Sequence, residues 1–191
     1  MCQKITSNKI KIFSKRATSI YDIPYYVTDN SKVKKIYNWN PQKKISDIGI
    51  DLPELQKPVA KYLPSVRAKN LLFISGQIPI KDGNIEYKGK LGKDVTIEQG
   101  GEAAKLCTIN ALSVMKYELG DLDEIERIIK ITGYVNSTDD FFDQPKVINY
   151  ASELLIEIFG EKGKHSRAAV GVNALPLNCA VEIEFIIQIK E

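Results

Sequence analysis

The segment from Lys164 to Lys190, KHSRAAVGVNALPLNCAVEIEFIIQIK, constrains the fold more than any other part of the chain. It holds two runs with a period of two, the spacing of side chains that leave a strand on alternate faces. In the first, Arg167, Ala169 and Gly171 share one face, and Ala168, Val170 and Val172 share the other. In the second, Val181, Ile183, Phe185 and Ile187 face one way, and Glu182 and Glu184 the other. With a loop around Leu175-Pro176 between them, the two runs read as a terminal hairpin with one apolar face on a core. An arginine at a strand start, with small residues on its own face, leaves room for a ligand beside a guanidinium. Such a fork suits a carboxylate, through two parallel hydrogen bonds. Spacing alone favours a plainer role for Arg167, an ion pair with Glu182 or Glu184.

The rest of the chain supplies a sheet for these strands to join. The globular pattern starts near Leu52-Pro53. Val59 to Val66 reads as a strand, Arg67 to Asn70 as a polar turn, and Leu71 to Ile80 as an apolar strand. Asp82-Gly83 is a hairpin signal, with Ile85 to Tyr87 as the return. Thr96 caps a helix, with Gln99 three residues on as its capping-box partner. Ala103, Cys107, Ala111, Val114 and Met115 keep helical spacing, and Gly120 ends the run. Glu126 to Val135 is a strand. Asp143 and Pro145 open a second helix, which carries Val147, Leu154, Leu155 and Ile158 and stops at Gly160. The order β-β-β-α-β-α-β-β predicts an α/β domain of the α+β kind, a mostly antiparallel sheet with two helices on one face.

Composition narrows the functions open to such a domain. A length of 191 residues allows one ordinary domain with an appendage, and 43% hydrophobic residues is a globular value. A formal net charge of +3 is too small to argue for nucleic acid, which needs a clustered basic face. No apolar run approaches the ~20 residues of a membrane helix, and the N-terminus lacks a signal-peptide core, so no membrane partner is expected. Cys2, Cys107 and Cys179 are odd in number and widely spaced, which points to a reducing cytoplasm. His165 is the only histidine, so no histidine-rich metal site is expected. Residues 1–48 form a lysine-rich arm with the only tryptophan, Trp39, and residues 49–191 form the domain. In the arm, Asp29 is placed to cap a short helix with Val33, Ile36 and Tyr37 on one face.

Several separated motifs carry a family likeness. R-x-x-V-x-V-x-x-L-P from Arg167 to Pro176, followed by V-E-I-E at 181–184, resembles the C-terminal signature of the Rid family (reactive intermediate deaminases, also called YjgF or L-PSP). Asn70 to Pro79, NLLFISGQIP, is similar to the family's second strand and its S-G-Q turn. Tyr62 sits at the family's pocket tyrosine, and Asn149, in V-I-N, at a helix asparagine near the pocket. The likeness runs from about Asp51 to Glu191 in family order and spacing. It implies a chorismate-mutase-like fold and a homotrimer with sites between subunits. The arm segment YDIPYYVTDNSKVKKIYNWNPQKK resembles something else, the C-terminal end of a sugar-nucleotide epimerase of the extended short-chain dehydrogenase type. The glycine-rich phosphate loop and Tyr-x-x-x-Lys pair of those enzymes are missing, which argues against epimerase activity.

The Rid likeness implies hydrolysis of enamines and imines to 2-keto acids and ammonia, with no metal or organic cofactor. An imine carbon is already electrophilic, so the site has only to hold a carboxylate, aim a water and shuttle a proton. The likeness gives Arg167 the carboxylate and Glu182 the water, with Tyr62, Ser75 and Asn149 shaping the pocket. Plainer roles stand beside these. Ser75 satisfies backbone groups at a strand end, Asn149 ties down a loop, and Tyr62 is a rim aromatic. Glu184 is a structural partner, Asn110 a backbone satisfier and Cys179 a small buried hydrophobe, and His165, two residues before Arg167, reads as a solvated loop histidine ahead of a base. The chain departs from the family's usual pattern at Ala60-Lys61, at Lys164-His165-Ser166, at Ala169 and in the longer loop 83–95. Those changes leave the substrate open. The rival functions are a carboxylate-binding regulatory module without turnover, and the ribonuclease or translation-inhibitor role attached to parts of the family.

Overall fold

The computed structural model describes residues 50–54 and 61–190. Strands are β1 (Ser65–Ala68), β2 (Leu71–Gln77), β3 (Ile80–Lys81), β4 (Asn84–Ile85), β5 (Ile125–Asn136), β6 (Ser166–Val172) and β7 (Val181–Ile189). The helices are α1 (Ile97–Leu119) and α2 (Gln144–Phe159). The five-stranded sheet runs β1-β2-β7-β5-β6, and β3-β4 is a separate two-stranded hairpin. All pairs are antiparallel except β5-β6, which is parallel. Two helices on a mostly antiparallel sheet is the expected fold class. Among the described residues no helix is long and apolar enough to cross a membrane.

Local chemistry explains most element boundaries. At the start of α1 the Thr96 hydroxyl accepts from the Gln99 amide while the Gln99 side chain accepts from the Thr96 amide, so two orphan donors are satisfied. Gly120, at φ 78°, closes the helix with a bond to the Lys116 carbonyl. Asp82 and Gly83 both adopt positive φ, which matches the twist of a two-residue hairpin. Asp143 and Pro145 do open α2, but the Asp143 side chain makes no capping bond. Two expected strands differ: β1 starts only at Ser65 and keeps Arg67 and Ala68, so the turn is Lys69-Asn70, with Lys69 at φ 55°, and the strand expected from Leu71 to Ile80 ends at Gln77, with Ile80 in β3. Residues 55–60 lie outside the described part, and so does the arm, with the Asp29-capped helix expected there.

The terminal hairpin is a correction. β6 and β7 do not pair; β7 lies between β2 and β5, and β6 pairs with β5 at the sheet edge. The cause is α2. A helix between β5 and β6 returns the chain to the end where β5 began, so β6 must run parallel to β5 as a crossover unit. The following loop carries the chain past β5, and β7 enters the centre. The side-chain patterns suit these places. β7 buries Val181, Ile183, Phe185, Ile187 and Ile189 under the helices, while β6, after Ser166 and Arg167, brings only alanines, valines and a glycine to the edge. Each large side chain buried there contributes ~1.5–3 kcal/mol. α1 lays Ala103, Cys107, Ala111 and Met115 on this face, and α2 lays Val147, Ile148, Ala151 and Leu155.

Candidate functional site

Strand register decides which candidate residues meet. Ile131 of β5 stands beside Arg167 on one side and Phe185 on the other, and Phe185 is buried in the helix-side core. Arg167 therefore leaves the sheet on the helix face. Three residues along, Tyr134 stands beside Val170 and Glu182. Glu182 therefore leaves on the opposite face, which no described helix covers. An ion pair of Arg167 with Glu182 or Glu184 is excluded within the chain, since a sheet separates them. The plainer role that spacing favoured for the arginine is thus overturned.

On the helix face, α2 supplies the partners of Arg167. Its Nη1 donates to Asn149 Oδ1 at 2.8 Å and to Ser152 Oγ at 3.1 Å. Asn149 and Ser152 are three residues apart, the spacing that puts side chains on one helix face. The guanidinium itself is solvent-exposed, and among the described residues no carboxylate lies within ion-pair distance of it. His165 completes the cluster. Its Nδ1 lies 2.6 Å from the Gly163 carbonyl and its Nε2 lies 3.1 Å from Ser152 Oγ. It is half-buried, not a solvated loop residue. Burial, with the Arg167 charge in support, pushes its pKa below the usual histidine value against the pull of the Gly163 carbonyl. Gly163 must be glycine, because a Cβ there would run into the backbone of Leu155 and Ile156.

On the other face, Glu182 lies against the backbone of Gly76, where any Cβ would occupy the place of its carboxylate. The β2-β7 register shifts between Ile74 and Gln77, a bulge that brings the S-G-Q turn up to the acid. Burial, then the charge of Glu184, raises the Glu182 pKa above the ordinary carboxylate value. Tyr134 is raised as well, first by burial and then by Glu184. The Ser75 hydroxyl donates to the Leu63 carbonyl at 2.7 Å and its amide to the Pro64 carbonyl at 3.0 Å, so the turn is tied to the segment carrying Tyr62. Tyr62 itself is 54% exposed. An acid poised toward its protonated form, beside a tyrosine, is able to give and take a proton.

One chain thus brings Arg167 and Asn149 together on one face, and Ser75 and Glu182 on the other. Asn110 donates to the Ile78 and Ile80 carbonyls, each at 3.0 Å, which is the backbone role expected of it. Cys179 is buried and its thiol is pushed up to about 12, which leaves no thiolate for chemistry at neutral pH. Among the described residues no group of three or more His, Cys, Asp or Glu side chains is placed to hold a metal. Sequence reasoning missed Ser152, Tyr134 and Gly163. Ser152 was findable from its i,i+3 spacing to Asn149. Tyr134 depended on a β5-β7 register that no local pattern states.

A family model described as "YjgF/chorismate mutase-like, putative endoribonuclease" matches residues 42–188. Protein TCP17 of Trypanosoma cruzi is 38% identical over 144 residues, covering 75% of this chain and 90% of its own. A RutC family protein of Pyrococcus horikoshii is 38% identical over 132 residues, covering 68% of this chain and 88% of its own. The crystal structure of a protein of unknown function from Agrobacterium tumefaciens is similar at a TM-score of 0.72 and 42% identity, with 76% of this chain and 90% of that one covered. The arm segment read as an epimerase tail lies outside the described residues, and nothing in these similarities supports that likeness.

Proposed function

The chain belongs to the YjgF/RutC family, and from that premise we propose that it hydrolyses small enamines or imines to 2-keto acids and ammonia. The observation that carries this reading is the exposed Arg167 guanidinium, tethered at one nitrogen by α2 and with no carboxylate partner among the described residues. A tethered, unpaired guanidinium fork is a receptor for a ligand carboxylate of the 2-iminobutanoate or 2-aminoacrylate type. Water adds to the C=N carbon and a proton goes to nitrogen. The resulting carbinolamine then collapses to the ketone with loss of ammonia. Glu182, raised toward its protonated form by burial, supplies and recovers that proton. These steps ask for no metal and no organic cofactor.

Arg167 and Glu182 leave opposite faces of one sheet, so a site that uses both takes them from different subunits. The proposal therefore includes a homotrimer with sites between subunits, in which Tyr62, Ser75 and Glu182 of one copy face Arg167 and Asn149 of the next. The uncovered sheet face, with Val66, Phe73 and Val170 exposed, gives such a contact its apolar surface. A cytoplasmic setting fits buried, unpaired Cys107 and Cys179. The test is ammonia release from 2-iminobutanoate generated in place by an amino-acid oxidase. Binding of 2-oxobutanoate without turnover would favour the regulatory module instead, and cleavage of RNA the endoribonuclease that the family description names.

A further inference from the structure

We propose that Ser152 and His165 are positioning residues that lock the Arg167 guanidinium, so that a fixed edge of it meets the ligand. This rests on the reading of Arg167 as a carboxylate receptor. The argument begins at Gly163. Its carbonyl can only accept, so the His165 Nδ1 at 2.6 Å must carry the hydrogen. The lowered pKa keeps the ring neutral at pH 7, which leaves Nε2 as a bare lone pair. The Ser152 hydroxyl, 3.1 Å away, must then donate to Nε2 and turn its own lone pairs outward. One of those lone pairs accepts from Arg167 Nη1. Proton direction is therefore dictated along the whole chain, from arginine to serine to histidine to a backbone carbonyl.

The consequence lies in how many hydrogens Arg167 has left. A guanidinium has five N–H donors, two of them on Nη1. Asn149 Oδ1 takes one of these and Ser152 Oγ takes the other. Nε and Nη2 donate to nothing among the described residues. The Nε hydrogen and one Nη2 hydrogen lie along one edge of the plane, spaced for the two oxygens of a single carboxylate. Asn149 alone would leave the group free to turn and offer either edge. The Ser152–His165 pair removes that freedom before the ligand arrives, which lowers the ordering cost of binding.

The test uses the full chain with isotope-labelled arginine, and the probes 2-oxobutanoate and its uncharged amide. In the wild type, the Nη1 and Nη2 resonances of Arg167 should be distinct, with Arg167→Ala giving the assignment. They should average in Ser152→Ala and His165→Ala. His165→Gln, whose amide oxygen can still accept from Ser152, should restore them. The affinity for 2-oxobutanoate should fall about 3- to 10-fold in the two alanine variants, roughly one hydrogen bond's worth. It should recover in His165→Gln, while affinity for the amide stays level throughout. Equal losses for acid and amide would mean a merely structural role and would overturn the inference. So would wild-type affinity for 2-oxobutanoate in both alanine variants, or resonances already averaged in the wild type. Distinct wild-type resonances with no binding of 2-oxobutanoate by any protein would instead sink the carboxylate reading of Arg167, and this inference with it. If Ser152→Ala does not fold, the His165→Ala and His165→Gln pair decides alone.

Discussion

Replacing Arg167 separates a binding residue from a packing residue in one experiment. Its guanidinium is exposed and makes two hydrogen bonds, to Asn149 and Ser152. Both acceptors sit where water can replace the arginine, so Arg167→Ala should cost less than about 1 kcal/mol of stability. For a chain of this size that is a shift of roughly 2–4 °C at most in Tm. The effect on turnover should be far larger. A carboxylate held by two charge-assisted bonds loses at least one of them in Arg167→Lys. Each is worth about 1.5–3 kcal/mol, so kcat/KM for 2-iminobutanoate should fall about 10- to 150-fold, and further in the alanine variant. Tm and ammonia release should be measured on the same preparations. A Tm loss beyond about 10 °C in Arg167→Ala, with turnover per folded molecule unchanged, would falsify the assignment and make the arginine a packing residue.

Four further outcomes are expected. Glu182→Gln should lower kcat with little change in the affinity for 2-oxobutanoate, since proton transfer is lost and the clamp stays. The same variant carries a pH signature. Burial raises the folded-state pKa of Glu182 above its ordinary value of 4.5, so the stability tied to its protonated form is present below 4.5 and lost as pH rises through the folded value. Glu182→Gln should therefore melt higher than the wild type at pH 8, and the gap should close by pH 4; a gap that widens in acid would refute the burial argument. Gly163→Ala pushes a methyl into the Leu155 carbonyl and should cost about 1–3 kcal/mol, read as a lowered urea midpoint at constant slope. Deleting residues 1–48 should leave a folded trimer by light scattering, because the described residues from Leu72 to Ile189 already form one continuous apolar core, with Ile50 and Leu52 packed against it; an insoluble or monomeric product would contradict both the boundary and the assembly.

What the sequence disclosed, and what it withheld, follows from the range of each signal. The Thr96–Gln99 capping box, the Gly120 stop and the Asp82-Gly83 turn are local, and each was legible because neighbouring residues alone decide it. Period-two alternation in 181–187 was equally legible, since a central strand needs one apolar face whatever its neighbours are. Pairing was not. The alternation of β6 and β7 is the same whether they pair with each other or with β5, and only the α2 crossover settles the matter. The site split along the same line. Arg167, Asn149, Ser75 and Glu182 were recognisable from motif order, but which of them share a face is a property of register. Ser152 and Gly163 escaped because their roles consist of a hydroxyl hydrogen and a carbonyl aimed at His165, which residue identity does not express.

If the chain hydrolyses imino acids as proposed, the split of the candidate residues between two faces makes a single copy an insufficient catalyst. The helix face holds a cation with a fixed edge and no proton donor matched to neutral pH, since His165 spends Nδ1 on Gly163 and Nε2 on Ser152. The opposite face holds a raised acid beside a tyrosine but no cation among its strand partners to hold a carboxylate, apart from Lys130, whose partner in β7 is Ile186 two rows away from Glu182. Hydrolysis of an imino acid needs both halves within about 3 Å of one ligand. Mixing Arg167→Ala with Glu182→Gln chains therefore offers a decisive complementation. Each variant alone has every site damaged, whereas in mixed trimers a fraction of interfaces pairs an intact Arg167 face with an intact Glu182 face. Co-refolded in equal amounts, a quarter of the interfaces should be whole, and roughly that fraction of wild-type ammonia release should return. A mixture no more active than its components would place both residues in one subunit's site, against the sheet that separates them here.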